Sequence, residues 1–275
     1  NASIGQYSHV EGHATVAVGD NSHAEGYNNK AMTANSHAEG ENNTASGGAA
    51  HAEGGYTTAS GTASHAEGSL TTASGNISHA EGNGSTASGS YAHAEGYNTT
   101  ASANTAHAEG TSTIASASQA HAEGLSSQAT GLAAHAEGDS TEASGGRSHA
   151  EGLSTRATEY CTHAEGQGTT ASYDRAHAEG FRTTASNYSA HAEGTDTTAS
   201  GHSAHSEGNA TTASGNYSHA GGNNSTASGF TSFAHGLGVQ SGHDFESSFG
   251  KYNRSSSDTL FSVGNGTSDN ARSNA

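Results

Sequence analysis

The amino-acid sequence predicts an all-β fold, a parallel β-roll (solenoid) with 14 residues per rung and two short strands in each rung. Histidine recurs every 14 residues from His9 to His219, which gives 16 equally spaced copies. Glycine follows each of these histidines by three positions, and a second period of seven residues runs inside the first. A fixed period without insertions is typical of a solenoid, whereas glycine at this density opposes helices.

The composition limits the kind of interior that the chain can form. Only 30% of the 275 residues are hydrophobic, and the chain contains 39 Gly but no Pro or Trp. A globular domain normally has about 45–50% apolar residues, so a thick core of large side chains is excluded. Low hydrophobicity with a net charge of −18 is also found in disordered chains, but a disordered chain does not need a given residue at a fixed phase.

Each rung consists of two similar halves, and alanine is expected to form the interior. Residues 65–68 read His-Ala-Glu-Gly and residues 72–75 read Thr-Ala-Ser-Gly. Positions spaced by seven from 10 to 234 give 33 sites, and alanine occupies 31 of them. Because side chains alternate across a strand, this column must face inward, opposite to His and Glu or to Thr and Ser. The predicted interior includes Ala59, Ala66, Ala73, Ala80 and Ala87.

A face of histidine and glutamate is predicted to be the contact between copies of the chain. Glu follows His by two positions in 15 of the 16 copies, and this face hardly varies, as expected along a shared axis. Stacked carboxylates repel each other by about 1 kcal/mol per pair in water, so the imidazoles are expected to hydrogen-bond them, with imidazole protonation raised by the carboxylates. The predicted interface consists of His23, Glu25, His37, Glu39, His51, Glu53, His65, Glu67, His79, Glu81, His93, Glu95, His107, Glu109, His121, Glu123, His135, Glu137, His149, Glu151, His163, Glu165, His177, Glu179, His191, Glu193 and Phe233, the last of which takes the His position in the next rung.

Metal binding and catalysis are the other chemical interpretations of this face. His-x-Glu places two ligands on one side of a strand, and zinc and nickel favour imidazole. The pattern repeats on every rung, whereas metal sites are usually few, so the structural network without a cofactor is preferred and metal in the ladder is the alternative. Because Ser, His and Glu recur uniformly, no rung is distinguished as an active site, and we expect no enzyme activity. The single cysteine, Cys161, cannot form an intrachain disulfide.

Two segments resemble the head repeats of trimeric autotransporter adhesins. Residues 14–19 read Ala-Thr-Val-Ala-Val-Gly and residues 8–12 read Ser-His-Val-Glu-Gly, close to the family signature Ser-Val-Ala-Ile-Gly. The Ser-His-Ala-Glu-Gly variant is similar to repeats in tail fibres and appendages of phages of Gram-positive bacteria. The resemblance covers residues 1–236 and implies a left-handed parallel β-roll assembled as a homotrimer. Most rungs depart from it by carrying His and Glu, or Thr and Ser, where the signature has Val and Ile.

The sequence divides into a β-roll over residues 1–236 and a C-terminal capping or transition segment over residues 237–275. Large apolar residues become more frequent after Gly236, and residues 249–252 and 260–263 are predicted strands around a polar turn at 254–258. This segment resembles the part of phage fibres that precedes a self-cleaving intramolecular chaperone. The resemblance therefore favours an extracellular virion appendage over a protein of the bacterial cell surface.

The predicted function is the structural shaft of a trimeric fibre, a phage tail fibre or appendage with a role in host-surface attachment. A bacterial surface adhesin is the first alternative. The second is an ice-binding protein, because Thr begins the second half-rung in 10 of 16 copies, although Gln128, Glu142 and Arg156 interrupt that array.

The expected partners are two further copies of the chain and a cell-surface glycan or protein receptor. Neither nucleic-acid binding nor membrane insertion is expected, since no apolar run approaches the roughly 18 residues of a membrane span. Tyrosines at the corners between half-rungs are the candidates for recognition, because exposed rings stack on sugars. These candidates are Tyr27, Tyr56, Tyr91, Tyr97, Tyr188 and Tyr217.

Overall fold

The computed structural model describes all 275 residues, Asn1–Ala275. The fold is an all-β parallel solenoid of about 19 turns, spaced about 14 residues apart, and it contains no helix. The chain divides into two compact units, Asn1–Asp139 and Ser140–Ala275, which we call the N-terminal and C-terminal units. Accordingly, no helix with the length and hydropathy needed to cross a membrane is present.

Each rung contains a long strand that begins at the His position and a short strand that begins at the Thr position. We call the connection from long to short strand the first corner, and the connection to the next long strand the second corner. The long strands of the N-terminal unit are His9–His13, His23–Tyr27, His37–Glu41, His51–Gly55, His65–Ala66, His79–Asn83, His93–Tyr97, His107–Thr111, His121–Leu125 and His135–Asp139. Its short strands are Ala2–Ser3, Val16–Ala17, Lys30–Ala31, Thr44–Ala45, Thr58–Ala59, Thr72–Ala73, Thr86–Ala87, Thr100–Ala101, Ile114–Ala115 and Gln128–Ala129.

The C-terminal unit has the same construction. Its long strands are His149–Leu153, His163–Gln167, His177–Phe181, His191–Thr195, His205–Ser206, His219–Asn223, Phe233–Leu237, Ser247–Lys251 and Phe261–Asn265. Its short strands are Glu142–Ala143, Arg156–Ala157, Thr170–Ala171, Thr184–Ala185, Thr198–Ala199, Thr212–Ala213, Thr226–Ala227 and Gln240–Ser241.

Within each unit, successive strands of the same kind pair in parallel with a shift of one repeat. His79 lies opposite His93 in the N-terminal unit, and Thr170 lies opposite Thr184 in the C-terminal unit. Because the register equals the repeat length, most side chains have a copy of themselves in the rung before and in the rung after. The parallel solenoid is therefore confirmed, whereas the left-handed winding and the trimer stay predictions.

The alanine interior is confirmed. All five of the alanines selected from the sequence are 0% exposed. Val239 is the one buried hydrophobic side chain larger than alanine. Two facing layers of methyl groups leave a thin interior, which explains why the period-seven column tolerates almost no other residue.

Two columns of small polar side chains are also buried, and the sequence analysis did not place them in the interior. They are the residue before each His, such as Ser64, and the residue before each short strand, such as Thr71, which are at most 1% exposed. The Ser64 hydroxyl donates a hydrogen bond to the carbonyl of Gly61 at 2.8 Å. The Thr71 hydroxyl donates to the carbonyl of Glu67 at 3.1 Å. Such local bonds to the backbone allow a hydroxyl group to be buried.

The first corners require left-handed backbone conformations. Gly54 has a φ of +99°, and a Cβ atom there would lie 2.1 Å from the carbonyl oxygen of Gly68 in the next rung. Nearby, Tyr56 also has a positive φ of 61°, a conformation that costs a non-glycine residue about 1–2 kcal/mol. The repeated glycine is thus set both by its φ and by the close approach of the neighbouring rung.

The pairing of 14 residues per rung continues beyond residue 236. Phe233–Leu237 pairs in parallel with Ser247–Lys251, which pairs with Phe261–Asn265. These last two strands overlap the predicted segments at 249–252 and 260–263. Three rungs without His thus follow the 16 with it. The chain then turns back, and Ala275 donates a backbone hydrogen bond to Val263 at 2.8 Å. The functional boundary at residue 236 remains a prediction.

Candidate functional site: the His–Glu face and the corners

The residues predicted to contact other copies form one face on the long strands of each unit, which we call the His–Glu face. Successive imidazole rings stack along it. The ring centroids of His37 and His51 are 4.6 Å apart with an angle of 5° between planes, and those of His163 and His177 are 4.7 Å apart at 3°. Each ring is half-buried because its neighbouring copies cover both of its sides.

A glutamate carboxylate lies beside each stacked imidazole. The Nε2 atom of His23 is 3.3 Å from a carboxylate oxygen of Glu25 in the same rung. In the C-terminal unit the corresponding distance is 3.5 Å for His163 and Glu165. A few imidazoles instead lie nearest the glutamate of the preceding rung. They are His65, His205 and His219. The sequence motif therefore brings His and Glu together as predicted, either within one rung or between two.

Many Nε2 atoms of this face are shielded from solvent but have no hydrogen-bond partner. Examples are His37 and His93 in the N-terminal unit and His177 in the C-terminal unit. The nearest carboxylate oxygen lies 3.6 Å from Nε2 of His93, outside hydrogen-bond geometry. Because a buried polar atom without a partner costs about 1–3 kcal/mol, the His–Glu face of one chain is incompletely satisfied.

Burial lowers the pKa of several of these histidines, so the predicted rise in protonation is wrong for them. For His51, desolvation is the largest cause, and the neighbouring His37 and His65 lower the pKa further. Glu53 and Glu39 act in the opposite direction but are outweighed. The prediction failed because it counted the carboxylates and neglected burial and the like-charged stack. The lowered pKa is found for His51, His79, His107, His163, His177 and His191.

The His–Glu face of the C-terminal unit changes character at its last rungs. His219 Nε2 lies 3.2 Å from Glu207 in hydrogen-bond geometry. Burial acts to raise the pKa of Glu207, but the hydrogen bond and charge of His219 outweigh it, and the pKa falls below its usual value. Phe233 then stacks against His219 with ring centroids 4.7 Å apart, and Phe249 follows at 5.1 Å. Phe233 therefore begins an apolar continuation of this face.

Groups of three potential metal ligands recur along the His–Glu face. In one such group, His51, Glu53 and His65 place their ligand atoms within 4.8 Å of one another. Two imidazoles and a carboxylate are a donor set that zinc accepts. The planes of His51 and His65 are however only 2° apart, so their lone pairs are parallel and do not converge on one point. The geometry therefore favours the His–Glu network over a metal site.

The short strands carry a second face, in which threonine is interrupted by charged residues. Glu142 and Arg156 lie opposite each other in neighbouring rungs of the C-terminal unit. Their side chains form an ion pair with an N–O distance of 2.9 Å. The two departures from threonine thus compensate each other, and they break the regular array that ice binding would use.

The corner tyrosines selected from the sequence lie mostly on the surface. Tyr188 differs because its ring is half-buried, with the Arg175 guanidinium 5.2 Å from its centroid and the His202 ring stacked 5.1 Å away. The tyrosines that are more than half exposed are Tyr27, Tyr56, Tyr91, Tyr97 and Tyr217.

A cavity of about 210 Å³ lies at the second corners of the C-terminal unit and was missed by the sequence analysis. It is lined by Glu159, Tyr173 and Asp174. Glu159 and Tyr173 occupy a position where glycine stands in most other rungs. The signal in the sequence was therefore the loss of the small corner residue in two successive rungs, and not the presence of tyrosine alone.

Comparisons with known proteins do not assign the chain to a family. No family model matches the sequence, and no curated protein matches it. The resemblance to adhesin heads and phage fibres therefore depends on the repeat motif itself.

Proposed function

We propose that this chain is the structural shaft of a homotrimeric fibre, in which the His–Glu faces of three copies pack against one another. The winding is left-handed in this proposal, as in the adhesin heads that the repeat resembles. The fibre is a phage tail fibre or appendage that holds the particle to the host surface. The chain acts by shape and adhesion and catalyses no reaction.

The observation that carries this proposal is the unsatisfied, uniform His–Glu face. Its imidazoles are about one-third exposed, as for His107 at 35%, and their shielded Nε2 atoms lack partners. A surface meant for water does not need to keep such a costly pattern in rung after rung. A partner face packed on it excludes water and presses each carboxylate into hydrogen-bond distance of an imidazole, which strengthens the pair.

The thin interior supports association for a separate reason. Alanine methyl groups bury little apolar area per residue, and burial stabilises by only about 25 cal/mol per Å². The conformational entropy of each ordered residue opposes folding by about 1–2 kcal/mol. A second buried surface between copies of the chain supplies what the interior lacks.

The molar mass in solution tests the trimer directly. The chain has a mass of 27.2 kDa, so light scattering is expected to give three times this value. Replacing Glu81, Glu95 and Glu109 together by Arg is expected to separate the copies, because three consecutive rungs of the seam then carry repelling cations.

The matched control places the same three charges on the other face of the same unit. In Thr72→Arg, Thr86→Arg and Thr100→Arg the trimer is expected to persist, since Arg156 occupies that column naturally. A monomeric native chain would overturn the proposal. So would a Thr-face variant that dissociates while a folded Glu-face variant does not. Circular dichroism establishes that each variant is folded.

The attachment role is separable from the assembly. An antibody raised against the chain is expected to label an appendage of phage particles in electron micrographs. Labelling of the bacterial envelope in uninfected cells would instead support the alternative, a bacterial surface adhesin.

A further inference from the structure

The second corners of the C-terminal unit carry an aromatic ring in seven successive rungs. In the N-terminal unit the same corners carry mostly small residues, such as Gly48 and Thr62, with Tyr91 as an isolated exception within the ladder. The row is specific to one unit although both units share the same His–Glu face. It consists of Tyr160, Tyr173, Tyr188, His202, Tyr217, Phe230 and Phe245.

Tyr173 differs from the tyrosines on either side of it. The guanidinium of Arg147 lies over the Tyr160 ring at 5.6 Å, and that of Arg175 lies over the Tyr188 ring at 5.2 Å. Each Arg also donates a hydrogen bond to the hydroxyl of the tyrosine that it covers. No ring or guanidinium packs on Tyr173, which is 49% exposed. One uncovered aromatic surface thus lies between two that are occupied.

The cavity beside Tyr173 brings hydrogen-bond acceptors to this uncovered ring. Its other lining residues, Glu159 and Asp174, have side chains that form no ion pair or hydrogen bond within the chain. The flanking Arg147 and Arg175 balance these two carboxylates, so the group as a whole has no net charge. An ionic ligand would meet a charge of its own sign here, whereas an uncharged ligand with several hydroxyl groups would not.

We infer that Tyr173, Glu159 and Asp174 form a binding site for one ring of a neutral glycan. The apolar C–H face of a pyranose packs on the Tyr173 ring, and its hydroxyl groups donate hydrogen bonds to the two carboxylates. Binding sites of this kind combine an aromatic surface with a few convergent polar groups. The cavity is smaller than the roughly 300–1,000 Å³ of sites for drug-sized ligands, which suits a single sugar ring.

The neighbouring corners extend this site along the unit. The rings of Tyr188 and His202 are 5.1 Å apart, and those of Phe230 and Phe245 are 5.7 Å apart. An oligosaccharide held at Tyr173 can therefore contact further rings in the following rungs. Affinity is expected to rise with the number of sugar units.

This inference rests on the attachment role in the proposed function and is independent of the trimer. It is tested on an array of immobilised oligosaccharides of two to six units: neutral hexose and N-acetylhexosamine chains, anionic oligogalacturonates and cationic glucosamine chains. The native full chain is expected to bind at least one neutral member. Tyr173→Ser should weaken that binding about tenfold or more, since it removes one aromatic contact.

A double variant and a control define the site. Glu159→Gln with Asp174→Asn is expected to weaken binding of the same neutral glycan while leaving the cavity shape. Tyr97→Ser, which removes a comparably exposed ring from the N-terminal unit, should bind as the native chain does. The inference is overturned if no neutral glycan binds, if only charged glycans bind, or if Tyr173→Ser binds unchanged. Light scattering on the same samples shows whether the oligomeric state, and hence the shaft proposal, stands or fails separately.

Discussion

The His–Glu face and the corners of the same rungs repeat with very different strictness. On the face, each His and Glu has its own copy in the adjoining rungs, and rings such as His37 and His51 stack at 4.6 Å. At the corners, successive rungs carry residues as different as Gly48, Thr62 and Tyr91. A residue surrounded by its own copies is fixed by contacts on both sides, whereas a corner side chain faces water. Strict columns therefore mark structure and assembly, and variable columns mark the place where recognition evolves.

The largest effect is expected where a strict column is also fully buried. Ala73→Leu adds three carbon atoms to an interior that holds methyl groups, and we expect it to lower the free energy of unfolding by about 3 kcal/mol or more. The adjacent Thr72→Leu serves as the control. It is expected to change stability by less than about 1 kcal/mol, because Ile114 occupies the same column of the half-exposed face. Urea unfolding of both variants measures the difference, and equal losses would contradict the assignment of the interior.

Two adjacent glycines separate the strict column from the corner at one point of the chain. Gly54→Ala is expected to cost about 2–3 kcal/mol, because alanine there adopts a strained φ and its Cβ meets the backbone of the next rung. At Gly55 a Cβ would meet nothing within 4 Å, so Gly55→Ala should leave stability within about 0.5 kcal/mol of the native chain. Thermal melts compare the two variants, and a costly Gly55→Ala would refute the distinction.

The His–Glu face is expected to make stability depend on pH in a defined direction. Since the folded chain lowers the pKa of six imidazoles, its unfolded form binds protons more readily at those sites. Stability is therefore complete above the unfolded pKa of about 6.5 and is lost as the pH falls through the lowered pKa of the folded state.

Melting temperatures from pH 8 to pH 5.5 test this direction. A steady fall below about pH 6.5 is expected, and it should be smaller when His51, His79 and His107 are replaced by Gln. Replacing His13 and His202, which lie at corners, should leave the profile unchanged. A melting temperature that rises on acidification would mean that the carboxylates dominate after all.

The smallest effect is expected at the charged interruption of the short-strand face. Glu142→Thr combined with Arg156→Thr restores the commonest residue of that column. Because exposed ion pairs contribute about 0–1 kcal/mol, the double variant should be nearly as stable as the native chain, and each single variant slightly less. A double-mutant cycle by urea unfolding measures the coupling, and a coupling above about 2 kcal/mol would place this face among the strict ones.

The period of the sequence was enough to predict the rung, the parallel register and the alanine interior. It was not enough to place Ser64 and Thr71, because alternation along a strand assigns the residue next to an inward alanine to the surface. Both residues lie at the ends of strands, where the chain turns and the alternation no longer holds. The last three rungs were also hidden, since Phe233 and its successors replace His while the glycine spacing of 14 persists.

The candidate sites were predicted in part. The spacing of two between His and Glu placed both on one side of a strand, and the structure brings them together. It did not give the direction of the pKa shift, which depends on how deeply stacked neighbours bury each imidazole. The cavity at Glu159, Tyr173 and Asp174 was missed because tyrosines were considered one at a time, whereas the site depends on which ring is left uncovered by arginine.

The in-register stacking of rungs has a consequence for how such a chain can change its length. If residues 80–93 were deleted, His79 would be followed by Ala94, as the repeat requires, and nearly every remaining residue would keep neighbours of the same type. Gain or loss of whole 14-residue blocks by recombination between similar DNA segments would thus alter reach without disturbing any local environment. The repeat acts as a ruler whose graduations are interchangeable, and selection can set the span of the protein independently of its stability per rung.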